Sequence, residues 1–212
     1  LTSAKGVSFL LDLARPAALA DGDGLQLDDG RVIAVAAEPE DLLAIECPSA
    51  DARLRIAWHL GNRHVPLAVT THIVTPRLRI SRDLVARDLL GRLGAHLTET
   101  VAPFDPEPIL GAAGIAAGDE HGHSHGHHDH GHAMKASAAV DLVGGTGADT
   151  ARAAWQIGNR HRPVQVVDGW RIRASDEPLV RRIAAALGLR VLPAADAFEP
   201  EPGAYADHGH HH

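Results

Sequence analysis

Apolar positions between residues 42 and 102 switch between the period of a strand and the period of a helix. Strands are predicted at 42–47, 66–70, 77–80 and 95–102. The first helix follows Ser49, a residue type that caps helix N-termini. The second is expected to start after Ser81 and to end at Gly94, since glycine suits the left-handed position behind a helix. The resulting order, β-α-β-β-α-β, is that of a ferredoxin-like fold.

The same order returns in residues 138–205. Strands are predicted at 138–143, 163–167 and 170–172, and a helix with Leu179, Ile183 and Leu187 on one face is expected between Ser175 and Gly188. Equivalent residues lie 97 apart at the first helix and 94 apart at the second. The three missing residues fall in the turn between the middle strands, where a change of length costs little. This placement indicates a structural duplication.

The two copies are most similar in sequence at the end of their first helix. Residues 58–64 read Trp-His-Leu-Gly-Asn-Arg-His, and residues 155–161 read Trp-Gln-Ile-Gly-Asn-Arg-His. A second shared string, Phe-Asp-Pro-Glu-Pro in the first copy, returns as Phe-Glu-Pro-Glu-Pro in the second. His64 and His161 are therefore equivalent residues of two similar units.

Three further segments complete the predicted α+β organisation. In residues 1–36, an apolar run at 7–13 indicates a strand, and Asp29-Gly30 within an alternating stretch predicts a hairpin. Because the chain starts with leucine rather than methionine, its natural N-terminus is expected to be missing. The predicted domains are a partial N-terminal β domain (1–38), two ferredoxin-like domains (40–107 and 138–205), a flexible His-rich linker (108–137) and a His-rich tail (206–212).

Histidine is the unusual residue, with 16 in the chain, and most stand in two tracts. The tract histidines are His121, His123, His125, His127, His128, His130 and His132, and then His208, His210, His211 and His212. Neutral imidazole favours Ni(II), Cu(II) and Zn(II), so the tracts predict many weak, exchangeable metal sites. Two simpler interpretations stay open. The first tract could serve only as a solubilising linker, and the second could be an expression tag, although its interrupted Asp-His-Gly-His start favours native sequence.

His64 and His161 are candidates of another kind. A histidine behind a helix can simply interact with the helix dipole, and that interpretation stays open beside a metal role. Duplication favours the metal role, because similar domains often pack about a two-fold axis through equivalent faces. Such packing would form a pseudo-dimer within one chain and bring both imidazoles to one ion. The alternative is a homodimer that uses one copy. Asn62 and Arg63, like their equivalents, are expected to fix the loop and the interface.

These strings, together with Gly-Ala-Tyr at 203–205 before the tail, resemble the UreE family of urease accessory nickel metallochaperones. The resemblance implies an N-terminal β domain that binds protein partners, followed by a ferredoxin-like metal-binding domain. It implies a homodimer in which the histidine of each Gly-Asn-Arg-His shares one Ni(II). By position, His64 and His161 become the interface ligands and His59 a secondary one. The implied partners are the urease apoprotein complex and the urease accessory GTPase.

The chain also departs from the family pattern. Ordinary members have one metal-binding domain, whereas this chain has two. The first strands of the N-terminal domain are expected to be missing from this sequence. Residues 81–84 lack the histidine pair that some members carry before the second helix, and Gln156 stands where the first copy has His59. We therefore expect the peripheral metal site of those members to be absent from this chain.

Charge, cysteine content and motifs narrow the function further. A net charge of −7 argues against nucleic acid as a partner. The single cysteine, Cys47, excludes a disulfide within the chain and fits a reducing cytoplasm, and no apolar run is long enough to cross a membrane. No phosphate loop, HExxH string or nucleophile arrangement indicates an enzyme. The leading interpretation is Ni(II) delivery for urease maturation, with Zn(II) or Cu(II) binding possible in vitro; the alternative is a cytosolic nickel or zinc buffer without a dedicated client.

Overall fold

Strand pairing gives the described chain a small hairpin and two four-stranded antiparallel sheets. The computed structural model describes residues 1–13, 17, 19–70, 76–82, 86–111 and 138–202. The hairpin pairs β1 (Gly24–Gln26) with β2 (Val32–Ala34). Gly30 in its turn has a φ of 83°, which suits glycine, and the predicted hairpin is confirmed. The strand predicted at 7–13 is wrong: among the described residues this run makes only an isolated bridge between Thr2 and Ser8.

The first repeat folds as strand, helix, two strands, helix and strand. We call it unit 1, and its elements are β3 (Pro39–Glu46), α1 (Ala50–Asn62), β4 (Ala68–Thr70), β5 (Arg77–Ser81), α2 (Arg87–Arg92) and β6 (His96–Pro103). The sheet order is β4-β5-β3-β6. The predicted cap of α1 is confirmed, since the side chain of Ser49 accepts a hydrogen bond from Ala52 N at 3.1 Å.

The second repeat has the same element order. We call it unit 2, and its elements are β7 (Ala139–Val143), α3 (Gly147–Gly158), β8 (Val164–Asp168), β9 (Arg171–Ser175), α4 (Pro178–Ala186) and β10 (Arg190–Pro193). Its sheet order, β10-β7-β9-β8, places equivalent strands in equivalent positions. Thr146 and Asp149 form a capping box that fixes the start of α3.

The predicted serine caps of the second helices are wrong in both units. Strand pairing continues through each serine: Ser81 pairs with Leu42, and Ser175 pairs with Ala139. Each serine is the last paired residue of its strand, so it does not cap a helix and the helices start later. In unit 2, the start is set by Pro178 at the first helical position, where its missing N–H is harmless. The predicted glycine stops are confirmed by φ values of 73° at position 94 and 68° at position 188.

The first helices of the two units pack against each other, so one hydrophobic core runs through both. The buried side chains of this core include Leu54, Ala57 and Trp58 of α1, and Ala151 and Trp155 of α3. The predicted α+β class is confirmed by the antiparallel sheets and four helices of the described residues. No helix within these residues is long and apolar enough to cross a membrane. The α1–α3 contact determines where the two equivalent histidines lie.

Candidate metal centre

His64 and His161 occupy the same strained position behind α1 and α3. Both have a φ of 53°, in the left-handed region that is normally glycine's at this point of a helix end. The N–H of His64 donates to Gly61 O and the N–H of His161 to Gly158 O, each at 2.8 Å. A non-glycine residue in this conformation costs about 1–3 kcal/mol, and such residues cluster at functional sites. An imidazole in place of glycine, twice, therefore indicates that the side chain itself is needed.

The two helices cross backbone to backbone at a pair of glycines. A Cβ on Gly61 would overlap the carbonyl oxygen of Trp155, and a Cβ on Gly158 would overlap that of Trp58. Only glycine allows the backbones of the two helices to approach this closely. The crossing lies three residues before each histidine, and it therefore brings the two helix ends side by side.

Reciprocal tryptophan hydrogen bonds hold the crossing. Trp58 Nε1 donates to Arg162 O, and Trp155 Nε1 donates to Val65 O, both at 2.9 Å. Each acceptor directly follows the histidine of the opposite unit, and both tryptophans are 2% exposed. Because each buried indole N–H is satisfied across the contact, the helix ends are tied together in a defined arrangement.

The crossing places the imidazoles of His64 and His161 in contact. Their Nε2 atoms lie 3.2 Å apart, and their rings meet edge to face at a centroid distance of 4.9 Å. Both residues are exposed, so incoming ligands can reach them. The two histidines singled out in the sequence are thus neighbours in space, within one chain.

Asn159 sets the tautomer of His64. Its Nδ2 donates to Trp155 O at 3.0 Å, so its Oδ1 faces His64 Nδ1 at 3.2 Å. An amide oxygen can only accept, which places the proton of the neutral ring on Nδ1 and leaves a lone pair on Nε2. Partners of this kind orient metal-binding histidines. Asn62 makes the equivalent bond to Trp58 O, also at 3.0 Å.

The arginines of the repeated string contact their own helices. Arg63 Nη1 donates to His59 O at 3.2 Å, and Arg160 Nη1 donates to Gln156 O at 2.9 Å. A cation on the last carbonyls of a helix satisfies acceptors that lack a partner in the helix. These contacts agree with the expectation that the arginines fix the loop behind each first helix.

The separation of the Nε2 atoms fits a shared metal ion. Two nitrogens each about 2.1 Å from one ion and about 100° apart are themselves separated by about 3.2 Å. His64 and His161 have this spacing. Two imidazoles fill only part of a coordination sphere, and the described residues contain no group of three or more His, Cys, Asp or Glu side chains that could hold an ion. The arrangement can hold an ion at two adjacent positions and accept further ligands from outside.

His59 differs from His64 and His161 in being buried, with 9% of its surface exposed. Its Nδ1 has no hydrogen-bond partner within the described part of the chain. Burial lowers the pKa of His59, and the charge of Arg63 lowers it further. The charge of Glu201 raises this pKa, and that of Arg92 lowers it. The imidazole is therefore held in the neutral form, and its role as a secondary ligand stays a prediction.

The equivalent position in unit 2 is occupied by a well-bonded side chain. Gln156 Nε2 donates to Pro108 O at 2.7 Å, and its Oε1 accepts from Leu110 N at 3.2 Å. The segment that follows β6 is thereby fastened to α3 of the other unit. The two sides of the site therefore differ in polarity and bonding at this pair of positions.

The tract histidines are not placed by the structure. His121, His123, His125, His127, His128, His130, His132, His208, His210, His211 and His212 lie outside the described residues. Their metal role stays a prediction from composition.

Sequence reasoning missed the residues that join the units away from the histidines. Arg55 pairs with Glu201, and Arg152 pairs with Glu107. A signal was present, because the arginines are 97 residues apart and the glutamates 94, the same offsets as in the duplication. Both glutamates lie in the second shared string, but neither ion pair was predicted, since charged residues on a predicted helix, such as these arginines, usually face solvent.

Comparison with protein families agrees with the sequence resemblance. Residues 40–133 and 137–212 each match the C-terminal domain of the UreE urease accessory protein, and residues 1–38 match its N-terminal domain. The C-terminal domain is thus matched twice. Together these matches cover nearly the whole chain.

Individual relatives point the same way. Proteins named urease accessory protein UreE are 50% identical over 107 residues in Rhodopseudomonas palustris strain HaA2 and 47% identical over 107 residues in Bradyrhizobium sp. strain BTAi1. In both, the match covers 50% of this chain, and it spans 48% and 50% of the relative, about half its length. The relative from Ruegeria pomeroyi is 44% identical over 123 residues, which are 58% of this chain and 75% of that protein. These are accessory proteins, which confirms the prediction that the chain is not an enzyme.

Proposed function

Since the chain belongs to the UreE family of urease accessory proteins, we propose that it carries Ni(II) between His64 and His161 and delivers the ion during urease maturation. The observation that carries the proposal is the 3.2 Å separation of the two Nε2 atoms across the contact between units. Nickel here is the cargo. A carrier must hold it firmly and still release it, and a site with two fixed imidazoles and open remaining positions suits both requirements.

The chemistry of the site favours an exchangeable borderline metal. His64 offers the Nε2 lone pair in its neutral form, and binding requires the same of His161, so acid competes with the metal. The histidines of the two tracts are the richest source of additional nitrogen ligands in the sequence. Nitrogen ligands also suit Zn(II) and Cu(II), so selection of nickel in the cell would rest on supply and on partners.

We further propose that units 1 and 2 are ferredoxin-like domains and that together they form a pseudo-dimer. The domain bounds remain those predicted, 40–107 and 138–205, with the His-rich linker between them. The reciprocal contacts of Trp58 and Trp155 support equivalent use of the two units. One chain would then build one shared site, where the family resemblance implies one site per pair of chains.

The client follows from the family and belongs to the proposal. The named relatives are urease accessory proteins, so urease apoprotein and a urease accessory GTPase are the expected partners in a reducing cytoplasm. Metal buffering without a client is the competing function. Nickel-dependent urease activation in a strain lacking this gene separates them, because a buffer would protect against excess metal and leave urease activation unchanged.

Nickel titration calorimetry tests the site. We expect one tight ion per wild-type chain, and we expect that ion to survive deletion of residues 121–132 and 207–212. His64→Ala and His161→Ala should each remove the same ion, weakening binding by more than the 10–100-fold typical of losing a group that only orients a ligand. His96→Ala changes an exposed histidine at the start of β6 and is the matched control. If each histidine variant keeps a site of full affinity, the units bind metal separately and the shared site is wrong.

A further inference from the structure

Two glutamates join the units through reciprocal ion pairs. Glu107, beyond the end of β6, accepts from Nε of Arg152 on α3 at 2.8 Å. Glu201, beyond the end of β10, accepts from Nε of Arg55 on α1 at 3.0 Å. Each glutamate thus belongs to one unit and its arginine to the other. We call the Glu107–Arg152 and Glu201–Arg55 pairs the two latches.

Each glutamate is also fixed to its own unit. The N–H of Glu107 donates to Leu67 O at 2.8 Å, and its Oε1 accepts from Val69 N at 3.4 Å. Glu201 makes the equivalent bonds at β8, at 2.7 and 3.1 Å. The carboxylate therefore links the edge strand of one unit to the helix of the other. Bonds on both sides make it a rigid link rather than a loose surface pair.

The latches are shielded from solvent. The glutamate side chains are only 17% and 14% exposed, at positions 107 and 201. Arg152 is 22% exposed and Arg55 is 36% exposed. Fully exposed ion pairs contribute little because water and salt screen them, whereas hydrogen bonds between charged groups strengthen as solvent is excluded. Arg152 also donates to Val69 O at 3.0 Å, which ties it to the same edge strand as its glutamate.

The latches act at a distance from the helix crossing. Arg55 lies six residues before Gly61, and Arg152 lies six before Gly158, which is about 9 Å along each helix. Glycines at a crossing permit close approach but have no side chains to fix its angle. Two links, one on each helix and placed well away from the crossing point, fix that angle. The same helices end at the paired histidines, so the angle sets how the imidazoles meet.

We propose that Glu107 and Glu201 are positioning residues that hold α1 and α3 at the angle that brings His64 and His161 together. The link to nickel rests on the proposed function, and the link to geometry does not. Neutralising either glutamate leaves each unit folded and lets the units part more often. The opening is local to the crossing, and it exposes the Trp58 and Trp155 indoles.

Hydrogen exchange of the two indole N–H groups, followed by NMR on the full chain, measures this opening. Glu107→Gln and Glu201→Gln keep the shape of the side chain and remove its charge. Each should speed exchange of both indoles about fivefold, and the double variant about 25-fold, if the latches contribute independently at the upper end of values for ion pairs. Added salt should speed exchange in the wild type more than in the double variant, since it screens only a charged latch.

A reference amide separates positioning from general stability. Leu142 lies fully buried in the central strand β7, and its amide reports unfolding of unit 2. The proposal expects its exchange to change much less than that of the indoles. Equal acceleration of the Leu142 amide and the indoles would overturn it, as would unchanged indole exchange. Asp176→Asn, which neutralises the Arg181–Asp176 pair within unit 2, is the matched control and should leave the indoles unchanged.

Nickel provides the second readout. In the wild type, saturating nickel should slow indole exchange, because an ion held by both histidines binds only the closed arrangement. The double variant should show weaker apparent nickel affinity in proportion to its open fraction. If nickel leaves wild-type exchange unchanged while the glutamate variants still accelerate it, the shared nickel site fails and the latches stand. If nickel slows wild-type exchange and the glutamate variants match the wild type, the latches fail and the site stands.

Discussion

The first helices of the two units are followed by equivalent histidines, but the two sheets carry different charges at equivalent strand positions. In unit 2, Asp141 on β7 faces Arg173 on β9, and the buried pair is joined by hydrogen bonds of 2.7 and 3.2 Å. In unit 1, Ala44 on β3 faces Arg79 on β5. The Nε of Arg79 is buried and has no hydrogen-bond partner among the residues that the structure describes. The same strand register thus holds a complete ion pair in one unit and half of one in the other.

The contrast shows which features depend on both units. The glycine crossing, the indole hydrogen bonds and the two latches all occur twice, because each lies across the contact between units. The Asp141–Arg173 pair and the capping box of α3 lie within unit 2 and have no complete equivalent among the described residues of unit 1. Features at the contact that brings His64 and His161 together are therefore duplicated, and features that stabilise a single sheet or helix are free to differ.

The largest effect is expected from breaking the buried pair of unit 2. Asp141→Ala leaves the Arg173 guanidinium, 3% exposed, without its carboxylate. Removing one partner of a buried pair typically costs about 3–5 kcal/mol, because the remaining charge stays desolvated. Urea unfolding should show a lower midpoint with an unchanged m-value.

A substitution at the equivalent position of unit 1 is the control for this prediction. Ala44→Asp places a carboxylate opposite Arg79 and should be neutral or stabilising by up to about 1 kcal/mol. A loss below about 1 kcal/mol for Asp141→Ala would contradict the prediction. It would mean that Arg173 is satisfied by Ala197 O, which already accepts from its Nη1 at 2.9 Å, or by the largely exposed Asp196.

A smaller and symmetric effect is expected at the crossing. Gly61→Ala and Gly158→Ala each bring a methyl group against a carbonyl of the opposite helix. Overpacking of this kind costs about 1–3 kcal/mol, offset by up to about 1 kcal/mol of improved helix propensity. We expect similar net losses of about 1–2 kcal/mol for the two variants, and weaker nickel binding in both.

Gly91→Ala is the matched control for the crossing. Gly91 is a helical glycine of α2 with nothing within 4 Å of an added Cβ, so alanine there should be neutral or stabilising. Clearly different losses at Gly61 and Gly158, measured by the same urea titration, would show that the crossing is not equivalent from its two sides.

Much of this symmetry could be predicted from the sequence, because duplication is visible as repeated strings at fixed offsets. The helix-end positions of His64 and His161 followed from periodicity, from the Ser49 cap of the first helix and from the repeated string. Their proximity followed from a symmetry argument alone, since no local pattern encodes a contact 97 residues apart. The glycines of the repeated string were noted, but whether a helical glycine serves a close approach depends on the neighbouring helix.

Other features were beyond sequence reasoning for physical reasons. The second helices begin later than predicted because the strand ladders extend through Ser81 and Ser175, and ladder length depends on the partner strand. The Asp141–Arg173 pair joins strands that are adjacent only in the folded sheet. Burial of His59 was likewise hidden, because one imidazole in an apolar helix could face either the core or the solvent.

The smallest predicted effect concerns His59, which stands where the second unit has Gln156. Burial lowers the pKa of His59, so the folded chain takes up a proton there less readily than the unfolded chain, whose histidine has a pKa near 6.5. Its contribution to stability is complete above about pH 6.5 and is lost as the pH falls through the lowered folded pKa. His59→Gln places the side chain of Gln156 at the equivalent position and removes this dependence. Between about pH 6.5 and 5, the free energy of unfolding should fall less steeply for the variant than for the wild type. The two slopes should differ by less than about 1.4 kcal/mol per pH unit, the value for one fully linked proton. Urea titrations across this range measure the slopes, with His96→Gln, at an exposed site, as the control.

Equal slopes for the wild type and His59→Gln would show that the buried imidazole is protonated as readily in the folded chain as in the unfolded one.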